Sequence, residues 1–261
     1  MADWALILGA SSGFGEATAR ALASEGYNIY GVHLDRKSTL PHVEELVKEL
    51  RSSGVEVEYF NVNAASEAKR GEVVDHVAGR LEESGETVRV LLHSLAFGTL
   101  KPVIGREGQA GLSQKELEMT LDVMANTLIY WTQDLVARGL IGEGGRIFSM
   151  TSSGDVIAWP TYGAVSAAKA ALEAHTRQLA LELAPRKITV NALRAGVTDT
   201  PALRKIPGHE EMVETATRRN PGGRLTEPED VARAIVALAS PDTHWITGNV
   251  INVDGGEMIA G

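Results

Sequence analysis

Seven short apolar runs, separated by longer stretches with a 3.6-residue apolar rhythm, are the feature that most restricts how this chain can fold. Residues 4–8, 28–32, 55–61, 88–93, 146–150, 188–193 and 249–253 are largely apolar instead of strictly alternating, as expected of strands covered on both faces. Between them, residues 16–24, 41–50, 65–81 and 116–136 carry helical periodicity. Strand–helix repetition predicts an α/β, Rossmann-type, doubly wound three-layer sandwich with a seven-stranded parallel sheet. Seven such units use nearly all of the 261 residues, so residues 1–261 are expected to form one domain.

Composition excludes several classes of function. A net charge of −9 argues against a nucleic-acid binder, whose footprint is basic. The absence of cysteine removes disulfides, thiolate metal sites and cysteine nucleophiles, and fits a reducing, cytoplasmic setting. Seven histidines lie scattered without metal-ligand spacing, so no catalytic metal is expected. No apolar run reaches the ~18 residues of a membrane span, and Met1-Ala2-Asp3-Trp4 carries no basic leader pattern.

Directly after the first run comes Gly9-Ala10-Ser11-Ser12-Gly13-Phe14-Gly15, opening a helix. Strand, glycine loop and helix in that order let backbone N–H groups and the positive helix end approach a pyrophosphate. At the tip of the second run, His33 stands where an acid would bind a ribose 2′-hydroxyl, Asp35 follows two residues late, and Arg36 and Lys37 come next. A planar guanidinium suits a 2′-phosphate, so NADPH is the favoured cofactor, with NADH the alternative. Residues 98–113 and 198–223 interrupt the rhythm after strands, at the edge where ligands bind in such sheets. The second is read as a substrate lid, with surface insertion as the alternative.

The Gly-x3-Gly-x-Gly spacing and the strand ends resemble the short-chain dehydrogenase/reductase superfamily along the whole chain. The resemblance implies that Asn61 and Val62 meet adenine, that Ser94, Leu95 and Ala96 line the cofactor, and that Val197 and Thr200 meet its carboxamide and pyrophosphate. The superfamily's Tyr-x3-Lys pair is missing. If Lys169 is the matching lysine, Val165 stands in the tyrosine's place and Tyr162 lies seven residues upstream, two turns away on the same face of an ideal helix.

Tyr-x6-Lys resembles the enoyl-acyl-carrier-protein reductases of that superfamily, as do His93-Ser94-Leu95-Ala96, Asp122-Val123 and Ala195-Gly196. Asp199-Thr200-Pro201-Ala202-Leu203 is similar to their NADPH-using, single-tyrosine type. The resemblance implies reduction of a 2-enoyl thioester carried by acyl carrier protein or coenzyme A, in fatty-acid synthesis. Tyr162 would be the donor to the enolate oxygen, and Lys169 would bind the nicotinamide ribose. Ser152, 17 residues before Lys169, holds the superfamily's serine position and is either a supporting hydrogen-bond partner or a relic. The resemblance also implies a homotetramer built on residues 116–136 and 162–183. Arg204, Lys205, Arg218, Arg219 and Arg224 are a candidate patch for an acidic carrier protein, or a solvated face. The alternatives are a ketone or hydroxysteroid reductase that recruits Tyr162, and a dinucleotide-binding protein without turnover.

Overall fold

Trp4, Leu6 and Leu8 of the first strand join one apolar cluster, while Ala5 and Ile7 join another. A strand sends successive side chains to opposite faces, so an unbroken apolar run means that both faces are covered. The computed structural model describes residues 3–260; Met1, Ala2 and Gly261 of the expected unit lie outside the described residues.

The strands are β1 (Trp4–Leu8), β2 (Asn28–His33), β3 (Val57–Asn61), β4 (Val88–His93), β5 (Arg146–Ser152), β6 (Thr189–Ala195) and β7 (Val250–Val253). They form one parallel sheet in the order β3-β2-β1-β4-β5-β6-β7. Helices α1 (Gly13–Ser24), α2 (Leu40–Ser52) and α8 (Pro228–Ala239) pack on one face. The other face carries α3 (Glu67–Ser84), α5 (Thr127–Ala137) and α6 (Gly163–Leu183). Strand order reverses between β1 and β4, which opens the crevice where such sheets bind ligands.

Two departures from the expected elements bear on the site. Residues 116–136 are not one regular helix: α4 (Gln114–Leu121) and α5 are joined by a π-helical turn at Asp122–Asn126. The Thr127 hydroxyl donates to the Val123 carbonyl at 2.8 Å and also meets His93 Nε2 at 2.7 Å. Such back-bonding to the preceding turn accompanies local distortion of a helix. At the other departure, α6 begins at Gly163 and Tyr162 is its N-cap.

The lid candidate holds a short turn at Leu203–Lys205 and α7 (His209–Arg219). Trp159, between β5 and α6, donates from Nε1 to the Pro207 carbonyl at 3.4 Å. Among the described residues, no helix is long and apolar enough to cross a membrane, and no group of three or more His, Asp or Glu could hold a metal ion.

Candidate active site

The loop after β1 is shaped by close approach of backbone to backbone. A side chain at Gly9 would collide with the Ser94 carbonyl, lying 2.9 Å from its carbon, and one at Gly15 would lie 2.9 Å from the Gly9 carbonyl carbon. Gly9 also has φ +88°, a region that costs other residues steric strain. Gly9 and Ser94 follow β1 and β4, so the contact closes the floor of the central crevice.

Ser12 caps α1 without a side-chain hydrogen bond, whereas Ser66 accepts the Lys69 N–H at α3 and Ser113 forms a capping box with Glu116 at α4. The first turn of α1 therefore keeps its N–H groups available for an anion. The Thr200 methyl lies 3.4 Å from the position of a Cβ on Gly13, so the segment after β6 crosses this loop. A glycine floor and an uncapped helix end fit a dinucleotide pyrophosphate.

At the adenosine end, His33 Nδ1 lies 2.9 Å from Asp35 Oδ2. Burial opposes the shift, yet hydrogen bonds from Ser11, Thr39 and His33 hold the Asp35 carboxyl below its usual range. Asn61 is tied to the same turn: its Oδ1 accepts the Asp35 N–H at 2.9 Å and its Nδ2 donates to the Asp35 carbonyl at 3.1 Å. Arg36 and Lys37 are exposed. Leu95 packs against the core, and Val62 is half-buried while Ala96 is exposed. The Val197 N–H donates to Glu257 Oε2 at 3.0 Å.

At the catalytic end, Lys169 is buried and donates from Nζ to the Met150 carbonyl at 2.6 Å. Burial lowers its pKa to about 8, and Glu173 acts in the opposite direction. Tyr162 is set outside the helix that carries Lys169. Its own carbonyl accepts the Ser166 N–H at 2.8 Å, and Thr161 before it has φ +65°, a strained conformation for a β-branched residue. The helix thus starts one residue later than expected, with Tyr162 at its entry and nearly two helical turns, Gly163 to Lys169, between the ring and the lysine.

That ring rests on Gly154, where a Cβ would collide with Cε1 and lie 3.0 Å from Cδ1 and 3.4 Å from Ser152 Oγ. Burial raises the phenol's pKa above 10.0, with the neighbouring Ser152 hydroxyl opposing. Ser152 Oγ is itself buried without a hydrogen bond of regular geometry. His93 is buried, and desolvation takes its pKa to about 3, so its ring is neutral and structural. Neither Gly154 nor Thr161 was marked by sequence pattern.

The basic cluster expected at the lid is mostly neutralised. Arg204 forms a two-pronged pair with Asp199, with both bonds 2.8 Å. Arg224 pairs with Asp230 at 2.7 and 3.0 Å, and Arg218 lies 3.6 Å from Glu214. Arg219 donates to the Ala260 carbonyl. Acids near in sequence thus pair with Arg204, Arg218 and Arg224.

Five large apolar side chains are exposed on the segments that follow β4 and β5: Phe97, Val103, Ile104, Val156 and Ile157. They give the carboxyl edge of the sheet an apolar rim.

Comparison with known proteins agrees with this geometry. Residues 9–257 match a family model described as enoyl-(acyl carrier protein) reductase. The chain is 30% identical over 257 residues to the 3-oxoacyl-[acyl-carrier-protein] reductase FabG of Thermotoga maritima, covering 97% of each chain. The crystal structure of the enoyl-[acyl-carrier-protein] reductase (NADH) of Aquifex aeolicus superposes with a TM-score of 0.83 at 26% identity, covering 99% of this chain and 97% of that one. FabI from Candidatus Liberibacter asiaticus shares the fold, with a TM-score of 0.86 at 23% identity over 99% and 96% of the two chains. With its glycine floor, parallel sheet and matched length, the chain belongs to the enoyl-(acyl carrier protein) reductase branch of the short-chain dehydrogenase/reductases, oxidoreductases that bind a nicotinamide dinucleotide.

Proposed function

We propose that the protein reduces the carbon–carbon double bond of a 2-enoyl thioester with NADPH. The observation that carries this reading is the placement of Tyr162 at the entry of α6, seven residues before Lys169, with its ring on Gly154. A bound reduced nicotinamide supplies a hydride to the β-carbon of the substrate. The electron pair of the double bond moves onto the thioester oxygen, farther from the nicotinamide than a ketone oxygen under direct attack. A phenol set back along the cleft can donate to that enolate oxygen, and such donors act most strongly where charge develops. Protonation of the α-carbon by a solvent proton completes the saturated product. Lys169 holds the ribose and supplies positive charge near the phenol. Ser152 lies beside that phenol as a supporting partner.

The pyrophosphate is assigned to Gly9, Ser11, Ser12, Gly13, Phe14 and Gly15, with Thr200 above. Ser94, Leu95, Ala96 and Val197 line the path to the nicotinamide, and Val62 borders adenine, with Asn61 fixing the Asp35 turn. NADPH is favoured because protein donors already engage the Asp35 carboxylate, leaving it poorly free to grip a ribose diol. Arg36 and Lys37 stand exposed beside it. The apolar rim supports a fatty acyl substrate, carried by acyl carrier protein or coenzyme A. Residues 198–223 act as its lid, tied down through Trp159. A homotetramer built on residues 116–136 and 162–183, the α4–α5 segment and α6, where Leu181 is 71% exposed, completes the reading; light scattering tests it.

A second reading, reduction of a 3-oxoacyl thioester, is favoured by one observation: Ser152 Oγ is buried beside Tyr162 without a regular partner and could receive a ketone oxygen. Incubation with NADPH and either crotonyl or acetoacetyl thioester, followed by product identification, separates the two. Saturated acyl product supports the first and hydroxyacyl product the second. Cofactor binding with no product across a broad panel defeats both.

A further inference from the structure

A cluster of ionisable side chains outside the reaction's assigned residues is buried at the foot of the site. Arg194, on β6, donates from Nη2 to Asp155 Oδ2 at 2.6 Å and to Glu173 Oε1 at 3.0 Å. The same Glu173 oxygen accepts the Thr151 hydroxyl at 2.8 Å. The side chains of Asp155, Glu173 and Arg194 are only 5%, 9% and 14% exposed.

Two carboxyl groups face the Arg194 guanidinium, with the buried Lys169 ammonium one turn from Glu173 on α6, so removing one partner leaves a buried charge uncompensated. Asp155 Oδ1 and Arg194 Nε also lack hydrogen-bond partners. Burial pushes the Glu173 carboxyl up, Asp155 adds to that, and Thr151 and Arg194 oppose it.

The cluster spans the elements that build the catalytic end. Asp155 closes the Ser153–Asp155 turn after β5, and that turn contains the Gly154 seat of the Tyr162 ring. Glu173 lies one turn beyond Lys169 on α6, and Thr151 directly follows Met150, whose carbonyl receives Lys169 Nζ. We propose that Asp155, Arg194 and Glu173 form a positioning brace that holds the Gly154 turn, and through it the Tyr162 phenol, in register with Lys169. The brace acts through Tyr162 and rests on the reading of that residue as the donor.

A double-mutant cycle tests it. Asp155→Ala is expected to lower kcat on crotonyl thioester about tenfold while KM for NADPH stays within about twofold, since misplacing a catalytic group costs rate more than binding. In a Tyr162→Phe background the same substitution is expected to cost nothing further. An equal loss in both backgrounds, or no loss in either, overturns the brace.

A readout without substrate separates the brace from the enoyl assignment. Tyrosinate absorbance, taken as a difference against Tyr162→Phe, should titrate above 10 in the wild type and fall toward 10 in Asp155→Ala as the ring loses its seat. An unchanged midpoint overturns the brace, whereas a wild type that makes no saturated product overturns only the enoyl assignment. Where Asp155→Ala does not fold, Asp155→Ser, too short to reach Arg194 but still polar, enters both measurements with the same outcomes for and against.

Discussion

The ring of Tyr162 lies flush against the backbone of Gly154, with no room for even a methyl group between them. Gly154→Ala is therefore expected to push the phenol off its seat. Turnover should fall by about 10²-fold, the scale set by a displacement of roughly 1 Å in a catalytic group. Cofactor affinity, measured by fluorescence titration with NADPH, should hardly change.

Removing the hydroxyl alone is the sharper test of chemistry. Tyr162→Phe keeps the ring on Gly154, so folding should be preserved while kcat drops about 10²- to 10³-fold, the range found for loss of one oxyanion donor. Single-turnover kinetics with crotonyl thioester check this; an unchanged rate removes Tyr162 from the reaction.

Lys169 gives activity and stability opposite pH trends. Its pKa is lowered to about 8 in the fold against 10.5 for an ordinary lysine, through burial. As pH rises through about 8 the ammonium is lost, so kcat/KM, which reports the free enzyme, should decline there. The unfolded chain keeps its proton up to about 10.5, so the cost of burying the charge is fully present below pH 8 and disappears between 8 and 10.5. Relative to Lys169→Met, the wild type should gain up to ~3 kcal/mol over that window. Denaturant titrations at pH 7 and 10.5 check the sign.

Cofactor choice is open to a direct swap of charge. Arg36→Ala should raise KM for NADPH about tenfold, as expected for one lost charge-assisted phosphate contact, and leave KM for NADH nearly unchanged. Equal KM changes for both cofactors would place Arg36 away from the 2′-phosphate.

Thr161 holds a left-handed backbone conformation that glycine adopts without strain. Thr161→Gly should stabilise the fold by about 1 kcal/mol once glycine's larger chain entropy is set against the strain released. Turnover should nevertheless fall, because the ring would lose a fixed point of entry into α6. Thermal unfolding and steady-state rates measure the two effects separately.

Much of the fold was legible because a strand covered on both faces cannot hide its character: the run from Trp4 to Leu8 serves two cores at once. Strand ends were less legible, since β5 and β6 run two residues farther, to Ser152 and Ala195, through Thr151, Ser152 and Arg194, polar residues whose pairing only the sheet reveals. Periodicity carried α6 one residue too far because the left-handed backbone at Thr161, just before the helix entry, leaves no mark on an apolar pattern. Gly154 reads in Ser-Ser-Gly-Asp as an ordinary turn; its purpose exists only once an aromatic ring from beyond the loop arrives. The Asp155–Arg194 and Glu173–Arg194 contacts join residues 39 and 21 apart, beyond any local pattern. At the lid, Arg204 and Asp199 are five apart, outside the helical spacing at which pairing would have been sought.

The carbonyl of Met150, Ser152, Gly154, Asp155, Tyr162, Lys169 and Glu173 all belong to one unbroken stretch of two dozen residues, while the tip after β2 that is assigned to the choice between NADPH and NADH, His33 to Lys37, lies far earlier in the chain. Evolution, or an engineer, could thus rewrite which bond is reduced by exchanging a single peptide cassette and leave the choice of reductant untouched.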